Sequence, residues 1–218
     1  MGAPVTRGRF ITLEGGEGAG KSAQARRLAA KLSALGLDVV ATREPGGTPH
    51  AERLRGIILS GALRDLGPEA EAIAFAAARI DHVDELIRPA LERGAWVVSD
   101  RFADSTRAYQ GAAGKLGAAI VERLERIAVG DARPDLTLIL DIDPEQGLAR
   151  AARRSGAADR FESEGLEFHQ TLRRAFLAIA EAEPERCAVI AAGGFEDAVA
   201  RAIWAEVSRR LADFLPGR

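Results

Sequence analysis

"RFITLEGGEGAGKSAQARRL", residues Arg9 to Leu28, runs from an apolar segment through a glycine-rich turn into a helical pattern. Phe10–Glu14 has the nearly continuous hydrophobicity of a strand that is covered on both faces. The helical pattern that follows begins at Gly20 and ends at Leu35, before Gly36. A strand, a turn and a helix in this order predict the first βα unit of a parallel α/β sheet.

The turn itself has the spacing of a phosphate-binding P-loop, G-x-x-x-x-G-K-[ST]. Its glycines allow backbone N–H groups to converge on phosphate oxygens, and the helix N-terminus adds positive potential. Only three of the 30 lysine and arginine residues are lysines, and Lys21 is one of them. A compact ammonium fits between β- and γ-phosphates, where a planar guanidinium fits poorly, and Ser22 is placed to ligate Mg²⁺. The predicted ATP-binding residues are Gly15, Gly16, Glu17, Gly18, Ala19, Gly20, Lys21 and Ser22.

Four further apolar runs alternate with helical patterns along the chain. The predicted strands are Leu37–Thr42, Ala95–Asp100, Leu136–Ile142 and Cys187–Ala192, and the predicted helices after the first are Glu69–Arg93, Gln146–Arg154, Leu166–Ala182 and Glu196–Phe214. We therefore predict one α/β domain over residues 1–218: a P-loop NTPase with three α/β/α layers and a five-stranded parallel sheet. The polar, glycine-containing stretch Arg153–Gly165 fits no element and is predicted to be a short mobile lid.

Composition excludes several classes of protein. The net charge of −2 and a pI of about 6.0 do not indicate a surface for nucleic acid or anionic membranes. Cys187 is the only cysteine, which rules out an internal disulfide and a cysteine metal cluster. No apolar run reaches the length of a membrane span, and the N-terminal residues lack the apolar segment of a signal peptide. We therefore expect a soluble, cytoplasmic protein.

The other sequence motifs, present or absent, narrow the class of reaction that this P-loop serves. A GTPase would read guanine with Asn-Lys-x-Asp, but the sequence contains no asparagine. Motor and transporter ATPases are usually larger and carry motifs that are absent here. A small phosphotransferase remains, and it needs a second site lined with cations for its acceptor. Two arginine-bearing segments, "TREPGGTPHAERLR" and "SDRFADSTRAYQG", follow the second and third predicted strands, at the edge where α/β sheets bind ligands.

With these segments the chain resembles the bacterial thymidylate kinases of the nucleoside monophosphate kinase superfamily. The resemblance extends over nearly the whole length and rests on "FITLEGGEGAGKS", "REPGGT", "FAAARIDHV", "VVSDRF", "PDLTLILDIDPEQGL" and "DRFESEGLEFHQ", in the family's order. It implies transfer of the γ-phosphoryl group of Mg-ATP to dTMP, which gives dTDP and ADP in pyrimidine deoxynucleotide (dTTP) biosynthesis. It also implies a homodimer, and no partner among nucleic acids or membranes.

The resemblance also implies roles for the residues around the acceptor phosphate. Glu17 is implied to hydrogen-bond the 3′-hydroxyl of dTMP. Arg43 and Arg101 are implied to hold its phosphate, which agrees with the charge-assisted hydrogen bonds that a dianion favours. Asp100, at a strand end, is implied to support Mg²⁺ together with Ser22, much as a Walker-B carboxylate does.

A second group of residues is implied to hold the nucleoside. Phe75 would stack on thymine, and Arg79, one helical turn later on the same face, would hydrogen-bond the edge of the base. Ala78 stands where the family mostly has Asp, so the resemblance leaves Arg79 without its usual orienting partner. Phe75 taken alone would read as a core residue and Arg79 as a solvated charge, so the joint pattern carries the assignment. The remaining dTMP-binding residues are implied to be Ser105, Thr106 and Gln110 at the base and Tyr109 near the sugar C2′.

Phosphoryl transfer also needs positive charge over the migrating group. In this family the arginine that supplies it comes from the P-loop or from the lid, and this P-loop has none. The resemblance therefore implies the lid type, in which Arg160 and either Arg153 or Arg154 close over ATP. We predict Lys21, Arg101, Arg153, Arg154 and Arg160 as the catalytic set.

Two other functions remain open from the sequence. The first is a kinase for a different pyrimidine monophosphate, such as dUMP or UMP. The second is a non-catalytic nucleotide-binding module on the same fold. Other departures from the family pattern are Ala23 after the P-loop serine, Phe102 after Asp-Arg, and "IAAGG" at the last strand.

Overall fold

The computed structural model describes residues 7–153 and 161–216. Its centre is the predicted sheet of five parallel strands, and their order is β2-β3-β1-β4-β5. Every predicted strand is present, with ends that differ by at most two residues. The strands are β1 (Phe10–Glu14), β2 (Val39–Arg43), β3 (Trp96–Asp100), β4 (Leu136–Asp141) and β5 (Cys187–Ala191).

The helices follow most of the predicted pattern, with three differences. The predicted helix Glu69–Arg93 is divided by a π-helical turn at Val83–Ile87, and the last helix ends at Arg210 before a short 3₁₀ turn. The helices labelled α2, α5 and α6 were not predicted, and a second π-helical turn, Arg107–Ala113, follows α5. The helices are α1 (Lys21–Ala34), α2 (Pro49–Leu59), α3 (Pro68–His82), α4 (Arg88–Glu92), α5 (Ala103–Thr106), α6 (Ala118–Val129), α7 (Pro144–Ala152), α8 (Leu166–Ala182) and α9 (Glu196–Arg210).

Side-chain alternation along β1 separates two buried layers. Ile11 and Leu13 point to the layer beneath α1 and α9, where Leu32 and Val207 are fully buried. Phe10, on the opposite face, contacts the ring of Phe102 edge to face at 4.9 Å between centroids. Glu14 shares that face and is also fully buried, although it carries a carboxyl group. Such a position demands hydrogen-bond partners.

The strand order brings three functional segments to one edge. Because all strands are parallel, their carboxyl ends meet at the same edge of the sheet. The register pairs Arg43 of β2 with Asp100 of β3, and Asp100 with Leu13 of β1. The segments that follow these strands, REPGGT, DRF and the P-loop, therefore lie side by side. Among the described residues, no helix is long and apolar enough to cross a membrane.

Two glycines allow α7 to approach the P-loop closely. A Cβ atom at Gly147 of α7 would overlap the carbonyl oxygen of Glu17, and one at Gly18 would overlap the carbonyl oxygen of Gly147. Gly18 also has a φ of +68°, a conformation that favours glycine. The contact between the P-loop and α7 thus tolerates no side chain from either position.

We expect Gly147→Ala to lower the free energy of unfolding by about 1–3 kcal/mol, because the added methyl group forces α7 away from the P-loop. Gly56→Ala, in α2, is the matched control: a Cβ atom there meets nothing within 4 Å, so helix propensity should raise stability by about 0.5–1 kcal/mol. Urea unfolding of both variants measures the difference. Equal stability of the two variants would show that the close approach is not a constraint.

Candidate active site

The P-loop surrounds a buried lysine. Gly15 and Gly20 have φ angles of +131° and +87°, and Gly20 is the residue from which α1 begins. Lys21 is buried, and its Nζ donates to the carbonyl oxygen of Gly16 at 2.7 Å. Burial and the nearby Arg101 lower the pKa of Lys21 to about 8, against the opposing effect of neighbouring carboxylates. An anionic ligand would offset the desolvation free energy that this buried charge costs.

Ser22 and Asp100 place hard oxygen atoms next to this lysine. The Ser22 hydroxyl donates to Oδ2 of Asp100. Oδ1 of Asp100 is buried and has no hydrogen-bond partner among the described residues. Hydroxyl and carboxylate oxygens are the donors that Mg²⁺ prefers, and this ion usually takes only one or two protein ligands beside phosphate. The two side chains therefore fit a magnesium site.

Arg101 and Tyr109 converge on Glu17. Nη2 of Arg101 donates to Oε1 of Glu17 at 2.7 Å, and the Tyr109 hydroxyl donates to the same oxygen at 2.5 Å. The guanidinium of Arg101 also lies 4.9 Å from the centre of the Tyr109 ring. Burial acts to raise the pKa of Glu17, but Arg101 and Lys21 outweigh it and lower that pKa to about 2. Glu17 is thus an ionised acceptor at neutral pH.

Glu14 holds the turn that carries Arg101, a role that sequence reasoning missed. Arg101 has a φ of +70°, which is unfavourable for a residue with a side chain. Oε1 of Glu14 accepts from the backbone N–H groups of Phe102 (2.8 Å) and Ser105 (3.2 Å), and Oε2 accepts from the Ser105 hydroxyl (2.6 Å). Burial, with the nearby Asp104, raises the pKa of Glu14 to about 7. The signal in the sequence was an acidic residue that ends an apolar strand.

Asp104, a residue of α5, is held by two arginines. The buried carboxylate accepts from both terminal nitrogens of Arg186, at 2.7 and 3.0 Å, and from Arg107 at 3.0 Å. Burial acts to raise the pKa of Asp104, but these two arginines lower it. Because Ser105 and Thr106 follow directly in the chain, this ion-pair cluster fixes their position relative to the sheet.

One cavity of about 410 Å³ connects these groups. Among the described residues, seven cationic side chains but only four carboxylates line it, an excess that suits phosphate groups. Gly18, Gly20, Lys21, Ser22 and Asp100 contribute to its wall. Gly15, Gly16 and Ala19, which were also predicted to bind ATP, do not line this cavity. All the residues predicted to bind dTMP line it: Glu17, Arg43, Phe75, Arg79, Arg101, Ser105, Thr106, Tyr109 and Gln110.

The end of the cavity that is lined by Phe75 and Arg79 combines aromatic and polar groups. Phe75 is half-buried, with its ring centroid 6.3 Å from that of Phe161. Arg79 is buried, and its Nε donates to Glu44 at 2.7 Å. Glu44 therefore provides the partner that Ala78 does not. Sequence reasoning missed Glu44, although it lies inside the quoted REPGGT motif.

The remaining arginines differ in their surroundings. Arg43 is exposed and donates to Glu52 at 2.9 Å. Arg150 of α7 donates to the carbonyl oxygen of Ala192, at 2.9 Å, in the segment after β5. Arg153 is exposed at the end of α7. Arg154 and Arg160, the other predicted lid arginines, lie outside the described residues.

Comparisons with known proteins identify the family. The family model described as "Thymidylate kinase" matches residues 13–203. A thymidylate kinase of Afipia carboxidovorans is 53% identical over 97% of this chain and 94% of its own length, and one of Nitrobacter winogradskyi is 55% identical over 95% and 91%. The crystal structure of thymidylate kinase from Ehrlichia chaffeensis superposes with a TM-score of 0.76 at 31% identity, covering 93% of this chain and 99% of that one. The chain therefore belongs to the thymidylate kinase family.

Proposed function

We propose that this chain carries out its family's reaction, the transfer of the γ-phosphoryl group of ATP to dTMP, inside the 410 Å³ cavity. The P-loop N–H groups and Lys21 would hold the donor phosphates. Arg43 and Arg101 would hold the phosphate of dTMP. The observation that carries this assignment is that one cavity is lined by both the P-loop lysine and all nine residues of the predicted acceptor site.

The chemistry needs positioning and charge more than a base. An oxygen of the dTMP phosphate forms a bond to the γ-phosphorus, while the bond from that phosphorus to the β–γ bridging oxygen breaks and ADP leaves. The attacking oxygen is already ionised, so no side chain has to remove a proton. Lys21 is buried and the side chain of Arg101 is only 16% exposed, so both cations would stabilise transition-state charge more strongly than they would in bulk water.

Ser22 and Asp100 would hold the magnesium ion that accompanies ATP. The unpartnered Oδ1 of Asp100 and the adjacent hydroxyl support this role. When bound, Mg²⁺ neutralises charge on the donor phosphates. Asp100 pairs in register with Arg43, so the same strand ends would place the metal and the acceptor phosphate beside each other.

Glu17 and Tyr109 would bind the sugar, and the other end of the cavity would bind the base. The ionised Glu17 is a suitable acceptor for the 3′-hydroxyl, and Tyr109, which lines the cavity, would pack near C2′ and disfavour a ribose hydroxyl. Phe75 would stack on thymine, with Arg79 at the edge of the base. Ser105, which Glu14 holds, would complete the pocket together with Thr106 and Gln110.

The stretch Arg153–Gly165 would close over ATP as a lid on a single domain, residues 1–218. Arg153 and the two arginines outside the described residues, Arg154 and Arg160, are the candidates to reach the transferred phosphoryl group. Closure would exclude water and suppress ATP hydrolysis when dTMP is absent. ATP and dTMP are metabolites of the cytoplasm, where we expect the enzyme to act.

We also propose that two copies of the chain associate through α3 and α6. Ile73 and Ile80 lie two turns apart on one face of α3, and Ile120 and Ile127 are spaced in the same way on the neighbouring α6. All four are exposed, Ile73 by 58% and Ile127 by 69%. Burial of these side chains against a second copy would remove their apolar surface from water.

The first experiment offers dTMP, dUMP, UMP, CMP, AMP and GMP separately with Mg-ATP and measures ADP release by a coupled assay. We expect the highest kcat/KM with dTMP, near-background release without an acceptor, and loss of turnover when EDTA removes the metal. Asp100→Asn should raise the Mg²⁺ concentration that half-maximal activity requires. Preference for another monophosphate would contradict the base-site assignment, and no turnover with any acceptor would contradict catalysis.

ATP affinity should fall as pH rises through the pKa of Lys21, about 8, because only the charged ammonium attracts the phosphates. Between pH 7.5 and 9.5 we expect the Kd for ATP, measured by calorimetry, to rise at least about tenfold. Lys21→Arg is the matched control, since a guanidinium keeps its charge over this range and its Kd should be nearly constant. An equal pH dependence in the variant would assign the titration to another group.

The dimer should have a mass near twice that of the 23.1 kDa chain in light scattering after size exclusion. The double substitution Ile73→Asp with Ile127→Asp should give monomers, because it would bury four carboxylates in the interface. Phe195→Asp, at a side chain that is 90% exposed elsewhere on the surface, should leave the mass unchanged. A monomeric wild-type protein at micromolar concentration would refute the interface.

A further inference from the structure

Arg79 is held by three hydrogen bonds at the end of the cavity that is proposed to bind the nucleotide base. Its Nε donates to Oε2 of Glu44 at 2.7 Å, Nη1 donates to the Thr106 hydroxyl at 3.1 Å, and Nη2 donates to the carbonyl oxygen of Phe102 at 3.2 Å. A guanidinium has five N–H donors, so one N–H on each terminal nitrogen remains. Arg79 lines the cavity, so we expect a ligand bound there to meet these two donors.

Glu44 is itself fixed on its other side by a histidine. Oε1 of Glu44 lies 3.0 Å from Nδ1 of His82, and Nε2 of His82 lies 2.7 Å from the Thr42 hydroxyl. A carboxylate can only accept, so Nδ1 carries the proton that it donates to Glu44. The backbone N–H of Glu44 also donates to the carbonyl oxygen of Asp100 at 2.9 Å. Both the main chain and the side chain of Glu44 are therefore held in place.

The whole chain of contacts is shielded from water. Arg79, Glu44 and His82 expose 3%, 5% and 0% of their surface. In such surroundings, loss of one charge of an ion pair leaves the other charge buried without compensation, so Arg79 and Glu44 constrain each other strongly. Arg79 cannot rotate away from Glu44 to suit a different base without breaking this pair.

We propose that Glu44, braced by His82, is a positioning residue that sets the base selectivity of the enzyme through Arg79. This inference rests on the proposed function, in which Arg79 meets the edge of the base. Fixed N–H donors favour a base that presents a carbonyl acceptor, such as O4 of thymine. They oppose a base that presents an amino donor at the same place, as cytosine does. Selectivity against cytosine thus depends on the carboxylate that fixes the orientation of Arg79.

The test compares kcat/KM for dTMP and dCMP in the wild type and in Glu44→Gln. The substitution keeps the shape of the side chain but removes its charge, so Arg79 loses its fixed orientation. We expect the ratio of kcat/KM for dTMP to that for dCMP to fall by at least about tenfold. The loss for dTMP should arise mainly in KM, and the KM for ATP should not change.

Two histidine variants keep the proposal falsifiable if Glu44→Gln folds poorly. His82→Asn retains an N–H donor near Nδ1 and should preserve the ratio, whereas His82→Leu removes that donor and should lower it. Glu206→Gln is the matched control, because Glu206 is also paired with arginines but lies on α9 away from the cavity, and it should leave the ratio unchanged.

The outcomes separate the positioning role from a structural one and from the proposed function. A parallel fall in kcat/KM for both nucleotides, with a constant ratio, would overturn the positioning role and leave Glu44 as a stabilising residue. An unchanged kcat/KM for both would overturn it as well. If the wild type itself shows no preference for dTMP over dCMP, that result contradicts the proposed function, whatever the role of Glu44.

Discussion

The register between β2, β3 and β1 is the constraint on which the site depends. It fixes Arg43 beside Asp100 and Asp100 beside the end of β1, so the arginines proposed to bind the acceptor and the oxygen atoms proposed to bind a metal meet at one sheet edge. A shift of one residue would turn Asp100 to the other face of the sheet. β1 and β3 are buried under helices on both faces, whereas β2, at the edge of the sheet, is only partly buried and takes its position from backbone pairing with β3.

Carboxylates then hold the cations of the cavity in fixed positions. Glu17 orients Arg101, Glu44 orients Arg79, and Glu52 accepts from Arg43. The pairs of Arg101 and Arg79 reduce the free-energy cost of keeping these two arginines away from water, whereas Arg43 is exposed; all three arginines retain N–H donors for a ligand. Positioning of this kind is what phosphoryl transfer requires, because the protein contributes electrostatic stabilisation more than covalent chemistry.

The sequence predicted the sheet and the cavity lining better than it predicted the internal support of the site. The P-loop, REPGGT and DRF motifs are local patterns, so their residues could be located without coordinates. Glu14 and Glu44 could not be assigned roles, because their importance arises from partners that are distant in sequence. The helix α2 escaped prediction since only Ala51 and Ile58 of it are buried, which gives a weak apolar period. The π-helical turn inside the predicted helix Glu69–Arg93 has no distinct signature in composition.

The mutual approach of Gly18 and Gly147 has a mechanical consequence. At this contact the backbone of the P-loop touches the backbone of α7 directly. No side chain lies between them that could change rotamer and absorb a displacement. A tilt of α7 is therefore transmitted directly to the phosphate-binding loop. Arg150, on the same helix, is tied to the carbonyl oxygens after β5. The helix α7 thus connects the P-loop rigidly to the segment after β5, so a displacement of either one would shift the other.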